Sequence, residues 1–443
     1  MKKFFIGASI FIATIAIGGG AWLLVNRNYQ AEQAESAEKQ LSTKLKAKAH
    51  SDKTKEVETN NGKLVVVEPK FAGALVKYDA KVKEEAASVS ADLPHRKEAV
   101  SYLTFAVEKG PNTLLNVKPT VKVYSRTKNQ KLKLNKTVNL AEQTVNQDNG
   151  HALTLAELVP DFAARRALNY LLIKVQADDK NLANDALTSL LNKNFLADVN
   201  TTNFGYSDAG FTLAGAHVAA SKIAALVAPA YSAKEQVVAP AAGKVIALTF
   251  DDGPNPNTTP TILHTLAENN IKATFFMVGT GAGAYPAIAK QVAAAGHEIG
   301  NHSFDHPQLS SLTPAQMTDQ ITRTSLNIYR ATGKLPDFIR PPYGAVSQTV
   351  GATLNMPLIQ WDIDTDDWAT TNPAAIVSKV QANAHSGAII LMHDTHPQSV
   401  AALPGVISYL KQQGYQFKTV NELLGDRLLP GYQYFGQNDN RPV

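Results

Sequence analysis

Apolar and polar positions follow different rhythms along the chain, and the changes of rhythm mark out its parts. Phe4 to Val25 is an uncharged, largely apolar run, preceded by Lys2 and Lys3 and closed by Arg27. About 20 apolar residues span a hydrocarbon core, and the positive charge before the run favours keeping the start inside. Residues 1–27 are therefore expected to form an uncleaved transmembrane signal anchor, because a cleavable signal peptide has a shorter apolar core. From residue 28 to 63 large apolar residues almost vanish, and Ala, Glu, Lys, Gln, Ser and Thr dominate. That composition predicts a solvated helix or flexible spacer.

Between residues 64 and 150 the runs Leu64–Val67, Val100–Val107 and Pro119–Tyr124 alternate with period two, and Lys81–Ala87 is helical in character. This reads as a small accessory α+β region with no polar cluster suited to chemistry. Residues 151–236 read as a second accessory α+β region. Thr154 and Glu157 have capping-box spacing, and Pro160 limits the helix they open to about one turn. Phe162, Ala163, Leu168, Leu171, Leu172 and Val175 recur at helical spacing, and helices are also expected over Asn181–Leu191 and Ala214–Val227. A Pro/Ala stretch, Val237–Gly243, then reads as a linker.

Residues 244–428 alternate strand and helix patterns. Strands are expected at Val245–Phe250, Ala273–Val278, Met356–Trp361 and Ala388–Met392, with helices at Thr261–Asn269, Ala287–Ala295, Thr313–Thr332 and Pro373–Ala384. Such alternation implies an α/β fold with a parallel sheet covered by helices. The chemically distinctive blocks fall at or just beyond strand ends, where barrel folds place catalysis.

Composition narrows the function. The chain has 443 residues, 44% of them hydrophobic, enough for two or three domains with ordinary cores. It has no cysteine, which removes thiolate metal sites, disulfides and cysteine nucleophiles. The net charge of +5 is spread over scattered lysines and arginines, with no basic stripe interleaved with aromatics, so nucleic-acid binding is not expected. The positive excess favours attraction to an anionic wall or membrane surface.

Five blocks carry the candidate chemistry. They are Thr249–Pro254 (TFDDGP), His302–Pro307 (HSFDHP), Arg340–Gly344 (RPPYG), Asp364–Trp368 (DTDDW) and Leu391–Asp394 (LMHD). Asp251 and Asp252 follow a strand directly, so one carboxylate is free to bind a metal while its neighbour works on a water. His302 and His306 are four apart, which on a helical turn puts both imidazoles on one face. Two histidines and Asp252 would make a three-ligand site with open positions, the arrangement of catalytic zinc. A two-histidine, one-carboxylate iron oxygenase has the same ligand set, but it needs neither a free carboxylate beside the metal nor a second histidine acting as acid. His297-Glu298 is no zinc-protease motif, since the next histidine comes one residue too late. His393 at a strand end, with Asp367 as partner, suits a general acid. Arg340 is placed to pair with Asp251 and hold it ionised.

In this order the blocks resemble the NodB-homology polysaccharide deacetylases of carbohydrate esterase family 4, over about Lys244 to Gly425. The resemblance implies a distorted (β/α) barrel that hydrolyses acetyl groups on polymers. It implies Asp251 as catalytic base, Asp252, His302 and His306 as metal ligands, and Arg340 as the residue orienting the base. It further implies the Tyr343 backbone N–H at the oxyanion, Asp367 and His393 as supporting carboxylate and acid, and Trp368 and Leu391 as walls of the acetyl pocket. The implied cofactor is a divalent metal, zinc before cobalt or manganese. The implied substrate is N-acetylglucosamine of peptidoglycan, met by a membrane-anchored, extracellular catalytic domain. Chitin oligomers, an exopolysaccharide and acetylated xylan are alternative polymers, and a non-catalytic wall-binding protein is the alternative of another class.

Overall fold

The computed structural model describes residues 20–49, 54–59, 62–67, 80–89, 99–127, 129–178, 180, 182–232, 240–425 and 428–443. Most of the expected anchor therefore lies outside the described residues, and among those residues no helix is long and apolar enough to cross a membrane. The chain divides into two compact units. One comprises Met1–Val107, Lys118–Ala141 and Gln147–Gly150, and the other Glu108–Val117, Glu142–Asn146 and His151–Val443.

The first unit contains the Gly20–Ala49 helix, the Ala80–Ser88 helix, strands β1 (Thr54–Thr59), β2 (Gly62–Val67) and β5 (Leu132–Asn139), and most of β3 (Val100–Lys109) and β4 (Leu114–Arg126), whose residues 108–109 and 114–117 belong to the second. β1 and β2 pair antiparallel, β2 runs parallel to β3, and β4 runs antiparallel to β5. The segment expected to be a solvated spacer is only partly so. Ala34 and Leu45 are buried, Leu45 among Val65, Val67, Val100 and Tyr102. Glu38 pairs with Lys63 at 3.1 Å and also with Arg126. Thr54–Thr59 forms a strand despite its polar sequence because its ladder partner β2 supplies the apolar side chains that it lacks.

The second unit begins with Leu114–Val117 paired antiparallel to β6 (Gln143–Asn146). Thr154 and Glu157 form the capping box of a one-turn helix, Leu155–Leu158. Helices Phe162–Ala177 and Asn184–Leu191 follow. The helix expected over Ala214–Val227 is instead a turn, a strand and a four-residue helix, Ala220–Ile223. β7 (Gly205–Ser207), β8 (Gly210–Leu213) and β9 (Ala216–Ala219) form an antiparallel meander in which Phe211 faces Val218. A short apolar run suits a strand as well as a helix, and Ala214 and Gly215 at positive φ turn the chain back onto β8. This segment packs directly on the rest of its unit. Tyr170 Oη donates to the Pro336 carbonyl at 2.8 Å, and Tyr329 Oη donates to the Ala177 carbonyl at 2.7 Å.

The remaining strands are β10 (Val245–Asp251), β11 (Thr274–Met277), β12 (Glu298–Asn301), β13 (Leu358–Ile359), β14 (Ile363–Asp364), β15 (Ala388–His393), β16 (Gln416–Lys418), β17 (Tyr432–Gly436) and β18 (Asp439–Pro442). The main path runs β12-β11-β10-β15-β17-β13. Single parallel bridges from Asn301 to Ile339 and from Ile339 to Leu358 join its two ends, so the sheet closes on itself. Closure is irregular, because β17 runs antiparallel to β15. β10 is buried at every position. Ile246, Leu248 and Phe250 pack outward with Leu266 and Val406, whereas Val245 and Ala247 pack inward with Phe338 and Ile389. The pleat therefore carries Thr249 and Asp251 to the inner face, and by the same alternation β15 carries Leu391 and His393 there.

Tyr170→Phe tests the attachment of residues 151–236. It leaves a buried carbonyl without its donor and should cost about 1–2 kcal/mol. The urea midpoint of the second unit should fall with the slope unchanged; an unaltered midpoint would show that this contact contributes nothing.

Candidate metal centre and active site

Asp251 ends β10, and the next residue leaves the strand with φ 73°. That turn aims Asp252 away from its neighbour. Gly253 follows because nothing larger fits: a Cβ there would lie 1.8 Å from Asp394 Oδ2. Asp394 is held in turn by the Thr259 hydroxyl at 2.7 Å.

His302 and His306 sit in an irregular loop after β12, not on the helical turn expected from their spacing. Ser303 and His306 take positive φ, 64° and 63°, and this brings the two rings to 5.0 Å between centroids. Buried side chains hold the loop. Asn301 accepts from the Ser303 N–H at 2.9 Å and donates to the Ile321 carbonyl, also at 2.9 Å. Gln320 Oε1 accepts from the Phe304 N–H at 2.7 Å. His302 Nδ1 lies 2.7 Å from the Arg340 carbonyl and donates to it, so Nε2 is the ring nitrogen that faces Asp252.

Asp252 Oδ1 is 3.4 Å from His302 Nε2 and 3.5 Å from His306 Nε2. The three ligand atoms lie within 4.8 Å of one another, spacing a single cation can bridge. Asp252 Oδ1 is also buried without a hydrogen-bond donor, an orphan acceptor that a cation would satisfy. Burial alone would raise the Asp252 pKa, but the His302 imidazole beside it, with the charges of His393 and His306, pulls it well below the usual carboxylate range. Burial and the His302 charge lower the His306 pKa, which favours the neutral imidazole a metal needs. The residues present thus fit a divalent metal with room for further ligands.

Arg340 is fully buried, with its guanidinium 4.0 Å from the Phe276 ring centroid. Nη1 donates to Asp251 Oδ1 and to Thr249 Oγ1, each at 2.7 Å, and Nη2 donates to the Gln360 carbonyl at 3.0 Å. Asp251 Oδ2 lies 3.6 Å from His302 Nε2. The carboxylate of Asp251 is therefore beside the ligand set, and the arginine holds one of its oxygens.

His393 closes β15, and its Nδ1 is 2.6 Å from Asp367 Oδ1. Asp367 Oδ2 accepts the His393 backbone N–H at 2.7 Å and the Ser399 hydroxyl. Burial opposes charge on His393, but the Asp367 hydrogen bond and charge, helped by Asp251 and Asp252, outweigh it and push the imidazole up to about 9. His393 is thereby kept protonated at neutral pH with Nδ1 engaged, leaving Nε2 to give up a proton.

Tyr343 has φ 60° in the turn Pro342–Gly344, and its ring stands 4.7 Å from that of His306. Tyr343 and Trp368 are both more than half exposed, while Leu391 is buried. Sequence reasoning overlooked Thr249, Asn301, Gln320, Asp394 and Ser399. Thr249 and Asp394 lie inside motifs already singled out; the other three are ordinary polar residues whose partners are distant in sequence. His297, rejected as a ligand, accepts the Ala273 N–H at 3.1 Å and packs on Phe275.

Residues 239–356 match the family described as Polysaccharide deacetylase. A peptidoglycan-N-acetylglucosamine deacetylase of Listeria monocytogenes, PgdA, is 44% identical over 200 residues, which are 45% of this chain and 43% of that protein. The chain thus spans less than half the length of that relative. A peptidoglycan-N-acetylglucosamine deacetylase of Bacillus cereus is 40% identical over 41% of this chain and 88% of its own length. A chitooligosaccharide deacetylase of Bradyrhizobium is 37% identical over 40% of this chain and 89% of its own. On this likeness, carried by the part of the chain that forms the closed sheet and the candidate metal centre, the chain belongs to the polysaccharide deacetylase family.

Proposed function

We propose that this chain is a metal-dependent hydrolase that removes N-acetyl groups from cell-wall polysaccharide, N-acetylglucosamine of peptidoglycan first among them, releasing acetate and a free amine. The observation that carries the reading is an arginine-held carboxylate and a carboxylate-held histidine beside one three-ligand cluster. Asp252, His302 and His306 would hold the ion, zinc before cobalt or manganese, which supplies Lewis acidity toward the acetyl carbonyl and acidifies a water. Asp251 acts as general base: Arg340 holds one of its oxygens, and the carboxylate accepts a proton from the attacking water. The Tyr343 backbone N–H donates to the oxyanion that develops on the former carbonyl. His393, charged by virtue of Asp367, protonates the departing glucosamine nitrogen as the C–N bond breaks. Trp368 and Leu391 wall the acetyl group and exclude water from it. The reading puts the catalytic part outside the cytoplasmic membrane, where wall glycan lies, with residues 1–27 as the anchor.

Three measurements test this. Acetate released from purified peptidoglycan should disappear on chelation and return with zinc, cobalt or manganese; no recovery with any ion would refute the metal role. Chitin oligomers and acetylated xylan in parallel rank the polymers. Asp251→Asn should lower turnover by at least about 10²-fold with bound metal per chain unchanged. A wall-binding protein without catalysis would instead keep its effect in that variant.

The pH dependence follows from His393. Its folded pKa lies above the ordinary value, so the protonated acid persists at neutral pH and is lost as pH rises through about 9. Asp367→Asn removes the charge that raises it. The alkaline limb of the pH–rate profile should then move to lower pH, and an unmoved limb would mean that His393 is not the acid.

A further inference from the structure

A cleft of about 470 Å³ opens in the second unit between the start of the Phe162–Ala177 helix, the chain after Leu191 and the Pro314–Thr332 helix. It contains none of the metal-centre residues. Three cations line it, Arg165, Arg166 and Lys193, and no aspartate or glutamate does. Arg166 is committed to the wall, donating to the Gly351 carbonyl at 2.9 Å and to Asn355 Oδ1 at 3.1 Å. Arg165 donates from Nη1 to two carbonyls at 2.7 Å. Neither Arg165 nor Lys193 has a carboxylate partner among the described residues. The nearby Asp161 carboxylate is turned to the helix start, accepting from the Ala164 N–H at 2.7 Å. Asn192 and Asn194 are exposed along it, Asn192 donating to the Thr188 carbonyl and Asn194 accepting from the Leu196 N–H, each at 3.0 Å. Phe162 leaves 66% of its surface exposed, with the Arg166 guanidinium 5.8 Å from its ring centroid.

We propose that this cleft is a second, non-catalytic binding site for an acidic glycan, a sugar chain carrying carboxylates. Each feature selects one part of such a ligand. Uncompensated cations attract carboxylates and reject cationic polymers. The remaining amide atoms, Asn192 Oδ1 and Asn194 Nδ2, exchange hydrogen bonds with hydroxyl and acetamido groups. The exposed part of the Phe162 ring receives the apolar face of a sugar ring, burying surface that water now covers. The choice of a sugar over a peptide rests on the wall-glycan reading above. The site would hold the polymer on the enzyme while the metal centre acts on another part of it, raising the effective concentration of acetyl groups there.

The test uses the full chain with metal removed by a chelator, so that no turnover consumes the probe. Peptide-stripped peptidoglycan strands, which bear free lactyl carboxylates, are compared with uncharged chitin oligomers of equal length by equilibrium titration. The acidic strands should bind about tenfold more tightly at low salt, with the difference shrinking as salt is added. Lys193→Glu should erase the preference for acidic strands, and Phe162→Ala should weaken binding of both polymers. Both side chains are exposed, so neither change threatens the fold. Equal binding of the two polymers, a preference surviving Lys193→Glu, or displacement of the strands by inorganic phosphate at matched charge would each overturn the proposal. Acetate release from chitin oligomers by the metal-loaded parent chain reads the deacetylase activity separately from the cleft. Loss of release with binding intact would fault the deacetylase reading and leave the cleft standing.

Discussion

The ion pair between Arg340 and Asp251 organises the site. Both side chains are almost fully buried, and stripping water from two charges costs several kcal/mol per ion unless good partners replace it. Here the guanidinium meets Asp251, Thr249 and the carbonyls of Ile359 and Gln360. The same residue reaches further through its backbone. Its N–H donates to the Asn301 carbonyl at 2.9 Å, and its carbonyl accepts from the His302 imidazole. One arginine thus fixes the position of the carboxylate beside the candidate metal cluster and the tautomer of His302. Removing either partner would leave an uncompensated buried charge next to the reacting groups.

Around that pair the backbone is strained where chemistry is assembled. Asp252, Ser303, His306 and Tyr343 all take φ near +60° without being glycine. Such conformations cost of order 1–3 kcal/mol each, so neighbours must enforce them. Asn301 and Gln320 tether the histidine loop to the Pro314–Thr332 helix. Thr259 and Asp394 close over Gly253 behind the aspartate turn. Asp394 is pushed up to about 7 by burial, with the Asp252 charge adding to it and the Thr259 hydrogen bond opposing. His393, supported by Asp367, is driven the other way, towards its charged form. Environments that separate neighbouring groups in this manner assign donor and acceptor roles before substrate arrives.

The 151–236 segment changes the picture of the molecule more than any catalytic residue does. Its helix Phe162–Ala177 is bound to the closed sheet through Tyr170, Arg166 and Tyr329, and it forms one wall of the basic cleft. Accessory residues so attached form a fixed surface beside the catalytic part.

Strand and helix alternation after Lys244 was legible in the sequence because buried parallel strands and amphipathic helices have different periods, and those periods survive without tertiary context. The order of the five motifs was likewise legible, since each residue type is a chemical requirement: an acceptor, two imidazoles, a guanidinium, a charged supporter and an acid. Three things were not. The histidine pair converges through a strained loop where a helical turn was expected, because only distant Asn301 and Gln320 hold that conformation. The Ala214–Val227 run is largely turn and strand, because β8 offers a partner that local pattern does not reveal. Thr54–Thr59 pairs despite its polarity for the same reason. The sequence by itself determined which groups are available for catalysis. The tertiary structure alone decided where their lone pairs and charges point, since orientation depends on hydrogen bonds to residues that adjacency in the chain does not supply.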